Sequence, residues 1–201
     1  MKKSLVVALL SAPLMALAGP INLLSNGSFE ATPQAAGSWS RQDSLPGWLV
    51  GSNQAELRND VVGKASNGVN FLELDVDRNS QISQTVATVL GQWYELSFDY
   101  SNRAGVAVAS NGLGWGVAGV SSLAPVLSYN GSADNQWSHY SYRFQATGSS
   151  STVSFWAQGT NDSLGTSLDN VALSAVPEPQ SWALFGLALA IAVAFSRRRR
   201  S

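Results

Sequence analysis

The chain has no cysteine and a single histidine, His139. The first absence excludes disulfides, thiolate metal sites and cysteine nucleophiles. The second leaves histidine-clustered zinc sites without ligands. Helical periodicity is also missing from residues 19–176, where no segment repeats apolar residues at intervals of three and four. Catalytic signatures are equally scarce. There is no Gly-x-Ser-x-Gly elbow to position a Ser-His-Asp triad, and the glycines of Gly112-Leu113-Gly114-Trp115-Gly116 lack the strand-to-helix setting of a phosphate-binding loop. Basic residues are few, and six of the twelve are Lys2, Lys3 and Arg197, Arg198, Arg199 and Arg200 at the ends. Between Lys3 and Arg197, six basic residues stand against thirteen acidic ones, a net charge of −7. An acidic, lysine-poor body argues against nucleic acid and against an anionic membrane surface as partner.

What the chain does have at its ends is apolar. Lys2 and Lys3 precede the run Leu5 to Leu17, and Ala16-Leu17-Ala18 is a small-x-small cleavage pattern, so residues 1–18 read as a secretory signal peptide. At the other end stand Pro177-Glu178-Pro179, then an uncharged run from Gln180 to Ser196, then four arginines. The prolines end the folded body near residue 176. As a helix, residues 181–196 reach about 24 Å, just enough to span a bilayer with Trp182 and the arginines at its two interfaces. This tripartite tail over residues 177–201 resembles the PEP-CTERM sorting signal of Gram-negative bacteria. That resemblance implies an exosortase as partner, cleavage near Pro177-Glu178-Pro179, transient residence in the inner membrane through the C-terminal transmembrane helix, and delivery to the cell surface or extracellular matrix.

Residues 19–176 suit one domain. Short alternating runs bounded by Gly, Asn, Asp and Ser fill it. In Trp93 to Tyr100, Tyr94, Leu96, Phe98 and Tyr100 share one face; in Ser138 to Ala146, Tyr140, Tyr142 and Phe144 do the same. Val69 to Val76 alternates Leu72, Leu74 and Val76 with Glu73 and Asp75. Residues 37–47 read as a polar connection, and 106–120 as one or two weak strands. About eight such strands predict an all-β, two-sheet jelly-roll sandwich. The runs Asn22-Leu23-Leu24-Ser25-Asn26-Gly27-Ser28-Phe29-Glu30, Leu45-Pro46-Gly47-Trp48, Phe71-Leu72-Glu73-Leu74, Gly91-Gln92-Trp93-Tyr94-Glu95-Leu96-Ser97-Phe98 and Ser167-Leu168-Asp169-Asn170-Val171 resemble the galactose-binding-like jelly-roll domains of secreted proteins of the choice-of-anchor C type.

Glu30 ends the first of these motifs and Asp169 lies in the last. Two carboxylates meeting without a basic neighbour repel, and an oxygen-bound calcium ion relieves that. The resemblance implies a structural calcium at Glu30 and Asp169; the alternative is that both accept hydrogen bonds from turn amides. Glu73, Asp75 and Asp77 form an acidic stripe read as a solvated sheet face, or as a cation or sugar contact. As neighbours on one strand they do not face each other across a sugar as a glycosidase pair must. Of six tryptophans between residues 19 and 176, Trp115 and Trp137 sit in loop-like contexts and are the carbohydrate-stacking candidates. These features together favour an exported, non-catalytic protein contacting extracellular polysaccharide. A purely structural or adhesive matrix component and a polysaccharide-acting enzyme are the alternatives.

Overall fold

The computed structural model describes residues 21–176. The expected signal peptide at 1–18, the expected membrane helix at about 181–196 and the sorting residues Pro177, Glu178, Pro179 and Arg197 to Arg200 lie outside the described residues. Eleven strands form: β1 Ser38–Gln42, β2 Leu49–Val50, β3 Ala55–Asn59, β4 Asn70–Glu73, β5 Gln81–Ala87, β6 Trp93–Ser101, β7 Leu113–Val117, β8 Val120–Leu123, β9 Ser138–Gln145, β10 Ser150–Ala157 and β11 Ser167–Ala175. One 3₁₀ turn, Val108–Ser110, precedes β7.

The strands pair into a six-stranded sheet, β1-β3-β4-β11-β6-β9, and a five-stranded sheet, β2-β5-β10-β7-β8. All pairings are antiparallel. From β4 to β11 every connection crosses to the opposite sheet except the β7–β8 hairpin. The resulting orders β4-β11-β6-β9 and β5-β10-β7-β8 are those of a jelly roll, so the expected all-β sandwich is the fold. Alternation explains why the sheets face each other: Leu96, Phe98, Val153, Phe155, Leu57, Leu72 and Leu168 fill the interior. Phe98 and Phe155 meet edge to face across the two sheets, with ring centroids 4.9 Å apart.

Two local expectations change, and a third segment is held to the sheet without forming a strand. Residues 37–47 are not merely a connection, because they contain β1, an edge strand whose outward side chains include Trp39. Residues 21–24 form no strand, although the Leu23 amide donates to the Leu173 carbonyl and Asn22 Oδ1 accepts from the Leu173 amide. The strand expected over 69–76 pairs only as Asn70–Glu73, and Asp75 instead forms an isolated bridge with Asn79. The chain leaves the sandwich beside the β5–β6 turn. There the Val176 amide donates to the Trp93 carbonyl and Gln92 Nε2 donates to the Val176 carbonyl.

Candidate functional site

The polar and charged side chains that could make a site cluster on the outer face of the six-stranded sheet and the loops above it. At one end, Trp39 is paired across from Arg58, Arg41 from Glu56, and Glu56 from Glu73. Alternation sends Leu57 and Leu72 inward and these polar residues outward. Arg58 bonds Glu56 through Nε and Nη2 and reaches Glu73 Oε2 at 3.3 Å. Arg103 Nη1 donates to Glu73 Oε1 and to the Ser163 carbonyl, and the Gly165 amide also donates to Glu73 Oε1. Burial pushes the Glu73 carboxyl up to about 7, against the pull of Arg58, Arg103 and the Gly165 amide. Glu73 and Asp75 are fully buried, so the expectation of a solvated acidic stripe fails for both; only Asp77 is exposed, paired with Arg41. The cover comes from Arg103 and residues 159–165, which strand periodicity could not reveal. A cavity of about 280 Å³ opens here between Trp39, Arg41, Arg58, Val62, Asp77 and Arg103.

In the middle of the face, residues 64–70 strap across three carboxylates. Asp169 Oδ2 accepts the amides of Ser66 and Asn67 at 2.7 and 2.8 Å, and its Oδ1 accepts that of Asn170. Glu30 Oε1 accepts the amides of Val69 and Asn70. Asp99, directly across from Asp169, accepts from Ser66 Oγ and Asn170 Nδ2 and bonds His139 Nδ1 at 2.6 Å. Burial raises the Asp169 carboxyl to about 7 over the opposing pull of its three amides, with Asp99 adding to the rise. Burial also acts upward on Asp99, but the Ser66, Asn170 and His139 bonds outweigh it and hold that carboxyl low. Gly68 belongs to this strap for a steric reason: its φ is +77°, and a Cβ there would lie 2.4 Å from Glu30 Oε1.

Both calcium-candidate carboxylates therefore anchor the same loop, which was the alternative reading. No group of three His, Cys, Asp or Glu side chains suited to a metal occurs among the described residues. Asp169 has both oxygens turned to N–H donors and does not fit a cation. Glu30 fits better, since its Oε1 takes both amides and Asn70 Oδ1, beside it, is buried without a donor.

At the far end of the strap the chemistry changes to amides, hydroxyls and rings. Trp137 Nε1 donates to the Lys64 carbonyl, and its ring meets Phe71 edge-on at 5.9 Å. It lines a second cavity of about 280 Å³ with Tyr129, Asn102, Asn130, Gln136 and Ser138. Tyr129 is 59% exposed. Asn102 and Asn130 are spent on backbone carbonyls, which hold the 127–134 loop in shape. The Tyr129 hydroxyl and the side chains of Gln136 and Ser138 have no hydrogen bond within the described residues and face the cleft as lining. Trp137 is thus placed where a ligand could reach it.

Trp115 is not. It is 1% exposed and packs on Tyr140 and Tyr142 at 5.5 and 4.8 Å, so it offers no face to a sugar. Its glycine neighbours point the opposite way, and a Cβ at Gly114 would lie 2.0 Å from the Trp156 ring. Tyr129 and the exposed Trp39 carried no distinguishing signal in the sequence. Each stands in a polar stretch whose partners arrive from elsewhere in the chain.

The site thus belongs to a jelly-roll domain with a strapped polar face. Residues 22–174 match the family described as "Protein of unknown function (DUF642)", and the chain belongs to that family. Residues 175–200 match the PEP-CTERM protein-sorting motif, so the tail resemblance holds. A curated relative, the multifunctional-autoprocessing repeats-in-toxin of Vibrio cholerae serotype O1, is 29% identical over 164 residues; these span 81% of this chain and 3% of that protein. Among solved structures, a Family 16 Carbohydrate Binding Module-2 aligns with a TM-score of 0.48 at 16% identity, covering 76% of this chain and 99% of that one. The CBM22-1 xylan-binding domain from Paenibacillus barcinonensis aligns at 0.45 and 18% identity, covering 82% and 100%. The enzymatically active domain of tailspike protein 4 from Bacteriophage CBA120 aligns at 0.47 and 16%, covering 78% of this chain and 22% of that one.

Proposed function

We propose that this is an exported surface or matrix protein, handed to an exosortase by its sorting motif, whose sandwich holds a neutral polysaccharide in the Tyr129–Trp137 cleft without acting on it chemically. The observation that carries this reading is the lining of that cleft. It joins two aromatic rings to amide and hydroxyl groups with no ionisable side chain among them save the Tyr129 phenol. Sugars present C–H faces that stack on aromatic rings and hydroxyls that pair with amides, and this lining offers both. The size suits one or two sugar units, being close to the lower limit of about 300 Å³ for ligand pockets.

Among the described residues, the one pair of facing acids on the charged side of the six-stranded sheet does not support a catalytic role. Glu56 and Glu73 are cross-strand neighbours, but their side chains are 6% and 0% exposed and both are held by Arg58. A glycosidase needs two carboxyls flanking a bound sugar, with at least one able to touch the leaving oxygen. A structural calcium belongs to the same reading at Glu30 and Asn70, where the unpartnered Asn70 Oδ1 supports it.

Affinity electrophoresis of the purified chain through gels containing neutral polysaccharides tests the proposal. Wild type is expected to be retarded in at least one gel and Tyr129→Ala to migrate freely. Equal migration of both in every gel would leave a structural matrix role instead.

A further inference from the structure

Three carboxylates among the described residues have no solvent exposure at all: Glu73, Asp75 and Asp169. Two are compensated, Glu73 by two arginines and an amide, Asp169 by three amides at 2.6 to 2.8 Å. Asp75 is not. Its Oδ2 accepts only the amides of Asp162 at 3.1 Å and Leu164 at 3.4 Å, and its Oδ1 has no partner. No basic side chain pairs with it among the described residues. A buried carboxylate ordinarily has a counter-charge or a full set of donors.

Across the bridge stands Asn79, so the two side chains share one side of the turn. Asn79 Nδ2 donates to the Gly159 carbonyl and its backbone amide donates to Asn161 Oδ1, but its own Oδ1 is buried without a donor. Two oxygens that can only accept therefore face the 159–165 loop with nothing to accept from. That loop also brings up the Asp162 carboxylate, whose Oδ2 accepts from Ser110 Oγ at 2.5 Å.

We propose that Asp75 and Asn79 form a binding site for a hard divalent cation of the calcium class, which ties the 75–79 turn to the Asn161–Asp162 loop. The donors are all oxygen, which excludes the nitrogen- and sulfur-seeking metals. Calcium tolerates the irregular mixture of carboxylate, amide and backbone carbonyl present here, whereas magnesium demands near-octahedral geometry. With one or two carboxylates the affinity belongs in the range of extracellular modules, about 10⁻⁴ to 10⁻³ M. A protein outside the cell meets calcium at such levels. The cation has a structural consequence, since Val76, Asp77 and Ser163 from the same turn and loop wall the charged cavity. The site is separate from Glu30 and stands whether or not the Tyr129–Trp137 cleft takes a glycan.

Calorimetric titration of Ca²⁺ into the chelator-stripped full-length chain in detergent micelles, on a Glu30→Gln background to silence the other candidate, tests it. The background chain is expected to take up calcium with a dissociation constant of about 10⁻⁴ to 10⁻³ M. Asp75→Asn should weaken uptake at least tenfold. Asn79→Asp, which adds a charged ligand, should tighten it about tenfold, and it carries the test alone if Asp75→Asn fails to fold. Absence of uptake up to about 10 mM Ca²⁺, or uptake indifferent to both substitutions, overturns the proposal and leaves the space to a buried water.

Discussion

Two cavities of the same volume, about 280 Å³ each, open on this molecule, and they are chemical opposites. The one at Trp39 is floored by Arg58, Glu56 and Arg103, which with the buried Glu73 satisfy one another in a closed set of ion pairs. The one at Trp137 is lined by groups without formal charge, several of them with no intramolecular partner. A neutral ligand entering the first must compete with charges that already hold each other in a desolvated setting, whereas in the second it replaces water. Equal volume therefore does not mean equal capacity to bind. The charged cavity is a piece of stabilising structure with an opening, and the uncharged one is a surface with spare valence.

The sharpest way to break this contrast is to remove Arg58. Arg58→Ala leaves Glu56 and Glu73 buried without their shared counter-charge, and loss of one partner of a buried ion pair costs about 3–5 kcal/mol. Urea denaturation should show that loss, while the folded fraction still migrates like wild type in a polysaccharide gel. If retention fell in step with Arg58 and stability did not, the roles assigned to the two cavities would be reversed.

Next in size is the response to pH. The Glu73 carboxyl is raised from 4.5 to about 7, so the native state keeps its proton where the unfolded chain has released it. Its contribution to stability is full below pH 4.5 and is lost as pH rises through 7, by at most about 3 kcal/mol at 1.36 kcal/mol per pKa unit. Asp169, raised to about 7 from 3.8, acts in the same direction. Melting temperature should therefore decline between pH 5 and 7.5, and Glu73→Gln should flatten part of that slope. An unchanged slope in Glu73→Gln would mean that the two arginines already hold the carboxylate ionised.

How much of this was legible beforehand depends on what each residue needs from afar. β6 and β9 were readable because one side of each alternates aromatic or aliphatic residues against polar ones, and the core takes that side. β1 was not, because its Ser-Trp-Ser-Arg-Gln offers no apolar side to bury; pairing with β3 alone makes it a strand. Periodicity correctly put Glu73 on the outer face but could not say that Arg103 and Gly165, thirty and ninety-two positions on, would bury it. Trp115 misled for a related reason. Its flanking glycines looked like a loop, yet Gly114 makes room on the opposite side for Trp156 and Gly116 for Ser154, while Trp115 turns into the core. Trp137 does lie in a loop, because a polar Asp-Asn-Gln run precedes it and β9 follows at once.

In the uncharged cleft the expected effects are smaller and fall on binding. Tyr129→Ala removes an exposed ring, so stability should move by no more than about 0.5 kcal/mol, as for surface substitutions generally. Loss of an aromatic contact worth about 1.4 kcal/mol would weaken glycan affinity tenfold. Tyr129→Phe separates ring from hydroxyl: retained affinity assigns the contact to stacking, and lost affinity assigns it to the hydrogen bond.

The smallest effect belongs to the rim of the charged cavity, and it sharpens the comparison most. Arg41 and Asp77 pair there through two bonds, at 2.5 and 2.8 Å, with side chains 43% and 67% exposed. The chemistry matches that of the buried Arg58 and Glu56, but water screens it. Exposed pairs contribute little because solvent and salt screen them, so Asp77→Asn should shift the denaturation midpoint barely, and less still in high salt. If Asp77→Asn cost as much as Arg58→Ala, depth would not be what separates the two pairs, and the distinction between a load-carrying floor and an idle rim would fail.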